Sequence, residues 1–128
     1  MNQPEHQEAA TIQLPWPPTV NTYYRSIVIK GSVRVLISAK GRAYRKTVAD
    51  EVLLQRMPWY GKQRLKVLVI AYPPDKRRRD LDNIFKAGID SLEKAGVYDN
   101  DSQIDDLRIV RRGASKPGRV DIMIEVVK

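Results

Sequence analysis

Residues Leu65–Gly96 read LKVLVIAYPPDKRRRDLDNIFKAGIDSLEKAG, and this stretch holds one strand and one helix around which a fold can form. Leu65–Tyr72 is the most apolar run of the chain and has strand composition, which places it centrally in a sheet. Pro73-Pro74 ends it, because proline has no amide proton to give a ladder. Past the basic run Lys76–Arg79, apolar residues recur three or four apart at Leu81, Ile84, Phe85, Ile89, Leu92 and Ala95. That spacing belongs to one buried helix face. Asp80 stands at the N-cap position of this helix, and Gly96 follows its last turn as a C-terminal stop.

Toward the C terminus, Val97–Gln103 reads as a polar loop. Ile104–Arg111 and Arg119–Val127 read as strands joined through Lys116-Pro117-Gly118. Val120, Ile122, Ile124 and Val126 alternate with less apolar positions, as in a half-buried strand. Toward the N terminus, Ser38 caps a helix over Ala39–Met57, with Ala43, Tyr44, Val48, Val52 and Leu53 on one side and Pro58 and Gly61 closing it. Ile27–Ile29 and Val33–Ile37 flank Lys30-Gly31-Ser32, a hairpin signal. Thr11–Leu14 is a short strand stopped by PWPP at Pro15–Pro18, and Trp16, Tyr23 and Tyr24 are expected to pack under the sheet. The order β-β-β-α-β-α-β-β predicts an α+β fold with a mixed sheet and two main helices.

The 128 residues suffice for one domain. Residues 1–10, polar and without periodicity, are expected to form a disordered tail, and residues 11–128 a single domain. The chain has no cysteine, so disulfides, zinc-thiolate sites and thiol catalysis are excluded. The one histidine, His6, falls in the tail, which removes histidine-based triads and histidine metal ligands. A formal charge of +8 favours nucleic acid or an anionic membrane as partner. No apolar run approaches the length of a membrane span, and the N-terminus lacks the hydrophobic segment of a signal peptide. Nucleic acid is the better partner, and the cytoplasm the expected compartment.

The acidic residues are concentrated. Asp75–Asp106 carries 9 of the 15, leaving 6 against 17 of the 23 Lys and Arg in the rest of the chain. Capping accounts for Asp80 alone; it does not account for three arginines crowded at the positive end of the same helix. A divalent ion and a phosphate there account for both signs. Hard cations take one or two carboxylates plus water and phosphate oxygens, and Asp80 and Asp82 supply such a pair. Lys86, four residues after Asp82, shares its helix face, either as a surface ion pair or as a cation near a scissile phosphate. A helix of about 15 residues is roughly 22 Å long, so Asp101 reaches Asp80 only by a return of the chain or from a second subunit. Asp90 and Glu93 read as solvated. Arg25 could pack or approach a phosphate, while Lys40, Arg42, Arg45 and Lys46 form a solvated face with phosphate contact as the second choice. Asp99–Asp106 lacks the glycine and closing glutamate of a calcium loop, and no phosphate-binding glycine loop is present.

LPWPPTVNTYYR (Leu14–Arg25), SAKGRAYR (Ser38–Arg45), RRRDLDNIFKAGIDSLEKAG (Arg77–Gly96) and DNDSQI (Asp99–Ile104) together resemble the RusA-type Holliday junction resolvases, in family order and over most of the chain. RRRDLDN is the most specific of these motifs. The resemblance implies a homodimeric endonuclease that cuts four-way DNA junctions with Mg2+, Mn2+ being a possible substitute. It implies that Asp80, Asp82 and Asp101 are the essential carboxylates and metal ligands and that Lys86 is the catalytic lysine. One departure is visible: the family commonly has two adjacent aspartates at the third acidic site, and Asn100 occupies the first of those positions, with Asp99 before it.

The residues and the resemblance lead to one expected mechanism. Asp80, Asp82 and Asp101 hold one or two ions that serve phosphodiester hydrolysis, and Lys86 offsets charge at the phosphate. Lys76, Arg77, Arg78 and Arg79, with Arg25 and Arg45, hold DNA, mainly through phosphates. Two other readings share the charge layout: a junction-binding protein without catalysis, and a nuclease acting on other branched or single-stranded DNA.

Overall fold

The computed structural model describes residues 9–128. The expected tail, His6 included, lies outside the described residues except for its last two positions, and Ala10 already belongs to a strand. The architecture is α+β. Strands β1 (Ala10–Pro15), β4 (Leu65–Tyr72), β5 (Ile104–Arg111) and β6 (Arg119–Val126) form one sheet in the order β1-β6-β4-β5. β1 and β4 run antiparallel to β6, while β4 and β5 are parallel, so the sheet is mixed. A second sheet holds only the hairpin β2 (Tyr24–Ile29) and β3 (Ser32–Ile37). The helices are α1 (Val20–Tyr23), α2 (Ala39–Leu54) and α3 (Lys86–Lys94).

β4 is an interior strand, as its composition requires. Leu65, Val67, Val69 and Ala71 alternate onto one buried face and are joined there by Ile12 and Leu14 of β1 and by Val120, Ile122 and Ile124 of β6. Tyr44 and Val48 of α2 and Ala87, Ile89 and Leu92 of α3 complete the same core. Two glycines let the helices come close. A Cβ on Gly88 would meet Ile122 Cδ1 at 3.1 Å, and one on Gly41 would run into the Tyr23 carbonyl oxygen.

α2 is shorter than its pattern suggests. It ends at Leu54, where the Gln55 side-chain amide turns aside to accept from the Gln13 amide on β1 and donate to the Gln13 carbonyl, and Arg56 takes a φ of 55°. Leu53, expected on the packed side, is 78% exposed, and Ala43 is exposed too. They are one residue from the buried Tyr44 and the partly buried Val52, a step of 100° that turns them off the narrow contact face.

The hairpin closes through Lys30 and Gly31 at φ of 50° and 80°, the two positive angles a two-residue turn needs. The segment before it makes a four-residue helix, α1, that was not expected, capped by Thr19 accepting from the Thr22 amide. Tyr23 is fully buried and Tyr24 meets it edge to face at 4.8 Å between centroids, so both tyrosines do pack inward. Among the described residues, no helix is long and apolar enough to cross a membrane.

Candidate functional site

Parallel pairing of β4 and β5 dictates where the acidic residues go. The chain must return across the sheet between the two strands, and α3 makes that return. Asp80 and Asp82 therefore lie where the chain leaves the C-terminal end of β4, and Asp101 lies just before β5 begins. Arg111, at the far end of β5, donates to the Arg79 carbonyl at 2.6 Å and ties the basic run to the same sheet end.

The helix does not start at Asp80. Leu81–Asn83 forms a single 3₁₀ turn, and α3 begins only at Lys86. Asp80 precedes the turn in extended conformation and makes no side-chain capping bond. Among the described residues, neither Asp80 nor Asp82 is in an ion pair, although four cations precede them. Those cations are drawn elsewhere: Arg77 and Arg79 both pair with Asp75, at 3.1 and 2.9 Å. Arg79, then Arg77, holds the Asp75 carboxyl well below the usual carboxylate range. Two carboxylates are thus left free to receive a cation from outside the protein.

Lys86 pairs with Asp101, not with Asp82: its Nζ is 3.5 Å from Asp101 Oδ2. The i,i+4 relation to Asp82 is lost because Asp82 sits in the 3₁₀ turn ahead of the helix. The ion pair brings Asp101 to Lys86 within one chain, but Asp101 precedes the end of β5 that pairs with the start of β4, and among the described residues it forms no cluster with Asp80 and Asp82. α3 has nine residues, about 14 Å of rise, and the lysine reaches along it. Glu93 accepts the Asp101 amide at 2.8 Å, and Asn100 caps the 3₁₀ turn Asp101–Gln103 by accepting from the Ser102 amide. Asn100 therefore performs a task that Asn and Asp do about equally well.

Asp90, expected in solvent, is buried. It accepts from the Tyr23 hydroxyl and, at 2.8 Å, from Arg45 Nη2. Burial pushes its carboxyl up, but the bonds from Tyr23 and Arg45 outweigh burial and leave it below the ordinary value. Burial, with the Asp90 bond second, raises the Tyr23 hydroxyl to about 12, so it remains a donor. Lys86, Asp90 and Glu93 occupy i, i+4 and i+7 of α3, the one sequence signal that they share a face. This network and the bond from Glu93 are the parts of the site that sequence reading missed.

The expected DNA-facing cations divide into two groups. Arg45 and Arg79 are turned inward, with side chains 27% and 19% exposed, Arg45 on Asp90 and Tyr23 and Arg79 on Asp75 and backbone carbonyls. Arg25, Lys76, Arg77 and Arg78 are exposed. Among the described residues, no group of three or more His, Cys, Asp or Glu stands close enough to enclose a metal alone. Magnesium is held by one or two carboxylates, waters and substrate phosphate, and the unpaired Asp80 and Asp82 fit that donor set.

Residues 15–125 match the family described as Endodeoxyribonuclease RusA. The crossover junction endodeoxyribonuclease of Enterobacteria phage HK97 is 45% identical over 111 residues, covering 87% of this chain and 89% of the relative. That of Escherichia coli strain K12 is 40% identical over 114 residues, covering 89% and 92%. That of Enterobacteria phage 82 is 41% identical over 113 residues, covering 88% and 91%. The match runs from Pro15, through the segments bearing Asp80, Asp82, Lys86 and Asp101, into β6, and the chain belongs to the endodeoxyribonuclease RusA family.

Proposed function

We propose that this chain is a metal-dependent, structure-selective endodeoxyribonuclease that resolves four-way DNA junctions by paired symmetrical nicks in recombination and repair. The observation that carries the reading is the pair Asp80 and Asp82, without ion-pair partners among the described residues and beside a basic run, in a chain whose relatives are named crossover junction endodeoxyribonucleases. Asp80, Asp82 and Asp101 would hold Mg2+, with Mn2+ as a substitute. The ion supplies a nucleophilic water at neutral pH and stabilises charge on the phosphate oxygens. Lys86, held by Asp101, carries the cation that offsets charge at the scissile phosphate. Arg25, Lys76, Arg77 and Arg78 grip phosphates of the junction arms, and Arg45 and Arg79 support the site from behind. The activity belongs in the cytoplasm, where the DNA is.

The hairpin supports a homodimer. Val28, Val33 and Val35 share one face of β2–β3 and are 71%, 67% and 65% exposed. A two-stranded hairpin is marginal in water, and an uncovered apolar stripe on it marks an interaction surface. A second copy covering that face would give two sites for two strands. The test is cleavage of a synthetic four-way junction with Mg2+ by the wild type and by Asp82→Asn. The variant should bind the junction and leave it uncut. Undiminished cutting by the variant would remove Asp82 from the site.

A further inference from the structure

Beside Asp80 lies a cavity of about 340 Å³ lined by Trp16, Pro17, Thr19, Arg79 and Asn83 as well as Asp80 itself. A second hollow of about 460 Å³, against Lys40, Tyr44 and Thr47 of α2, shares Trp16 and Pro17 with it. Trp16 is therefore the wall between them. That wall is anchored. The Tyr44 hydroxyl donates to the Pro15 carbonyl at 2.8 Å, and Thr19 is engaged with both the amide and the hydroxyl of Thr22. Arg79, pinned by Asp75, places its guanidinium carbon 5.5 Å from the Trp16 ring centroid.

The guanidinium lies over one face of the indole, and arginine planes and aromatic rings are the surfaces on which bases removed from a helix stack. Asn83 adds an amide with both a donor and an acceptor, which makes no side-chain hydrogen bond among the described residues and faces the same cavity. Asp80 on the cavity wall sets the scale: a ligand here lies within one nucleotide of a phosphate at the carboxylates.

We propose that this cavity binds one unpaired nucleobase, that of the nucleotide adjoining the scissile phosphate, stacked on the Trp16–Arg79 wall and touched by Asn83. Removing a base from intact duplex costs a few kcal/mol and costs least where pairing is already broken. The cavity thus lets the site distinguish a branch point from a duplex. The inference rests on the nuclease reading and names how that same site selects its substrate.

The experiment measures single-turnover cleavage with Mg2+ of junctions carrying either the natural base or an abasic site at that nucleotide. Wild type, Trp16→Ala, Trp16→Phe and Asn83→Ala are compared. One stacked base is worth about tenfold in rate. Trp16→Ala should cut the natural junction about tenfold more slowly, and wild type should cut the abasic junction about as slowly. Together the two changes should be no worse than either alone, and Trp16→Phe should keep most of the rate. Effects that multiply overturn the inference, and so does equal cutting of both junctions by wild type. The second comparison needs no variant to fold. Wild type that cuts no junction at all overturns the nuclease reading as well, so the two failures are distinguishable.

Discussion

β4 and β6 on one side, β2 and β3 on the other, are built from the same kinds of residue and meet opposite fates. Val67, Val69, Ile122 and Ile124 are completely or almost completely buried, while Val28, Val33 and Val35 are mostly exposed. β-branched composition makes a strand in both places. Burial depends on cover: α2 and α3 lie over the four-stranded sheet, and among the described residues no helix lies over the hairpin stripe. The acidic residues hang from the covered sheet, where strand ends are held. The hairpin, by contrast, leaves its apolar face exposed.

The contrast predicts that damage on the covered sheet's site is chemical, damage in its core is structural, and damage on the hairpin is to assembly. The largest effect is expected for Asp82→Asn. With Asp82 as a proposed metal ligand, its loss should slow junction cleavage by about three orders of magnitude, with no change in the thermal midpoint. A fall in both together would mean that Asp82 serves the fold.

Next is Ile122→Ala, which opens a cavity under Gly88 and should cost about 3 kcal/mol in denaturant unfolding. Val33→Ala on the hairpin should cost no more than about 0.5 kcal/mol in the monomer. Equal losses at the two positions would erase the distinction between the sheets.

Asp90→Asn should cost about 1–3 kcal/mol, because Arg45 and Tyr23 lose a charged acceptor. The sign of its pH dependence follows from the lowered carboxyl. The wild-type contribution is complete above the ordinary aspartate value near 3.9 and is lost as pH falls through the lower folded value. Thermal melts from pH 6 down to pH 2 should show wild type losing this increment and the variant lacking it. Parallel curves would assign acid sensitivity to other carboxylates.

The smallest effect sharpens the hairpin side. Val35→Ser removes about 0.8 kcal/mol of apolar burial from each copy, about 1.6 kcal/mol for the pair, so the dimer constant should weaken by about tenfold. Light scattering across a dilution series reads it. An unchanged constant would move the dimer interface elsewhere.

Much of the chain could be read from residue order. The alternation in β4 and β6, the Lys30-Gly31 turn and the Ser38 cap are local signals, satisfied within a few residues, and they appear where expected. The start of α3 was harder. Asp80 looks like an N-cap, yet the backbone makes one 3₁₀ turn first, and nothing in RRRDLDN distinguishes the two. Glu93 and Asp90 resembled solvated positions, because the groups that claim them, Asp101, Tyr23 and Arg45, are 8, 67 and 45 residues away.

What residue order determined by itself was the supply of chemistry: carboxylates gathered between Asp75 and Asp106, no thiol, a lone histidine at position 6, and a net positive charge. It also determined the strands and the two long helices, though neither α1 nor the start of α3, since periodicity and turn chemistry act over short range. Only the tertiary structure decided which charges remain free. Arg45 and Arg79 are spent on buried or nearby carboxylates, while among the described residues Asp80 and Asp82 have no ion-pair partner. An ion pair forms where two side chains meet in space: Asp75 takes Arg77 and Arg79 from its own segment, whereas Arg45–Asp90 and Lys86–Asp101 form only once the helices and the return to β5 are in place.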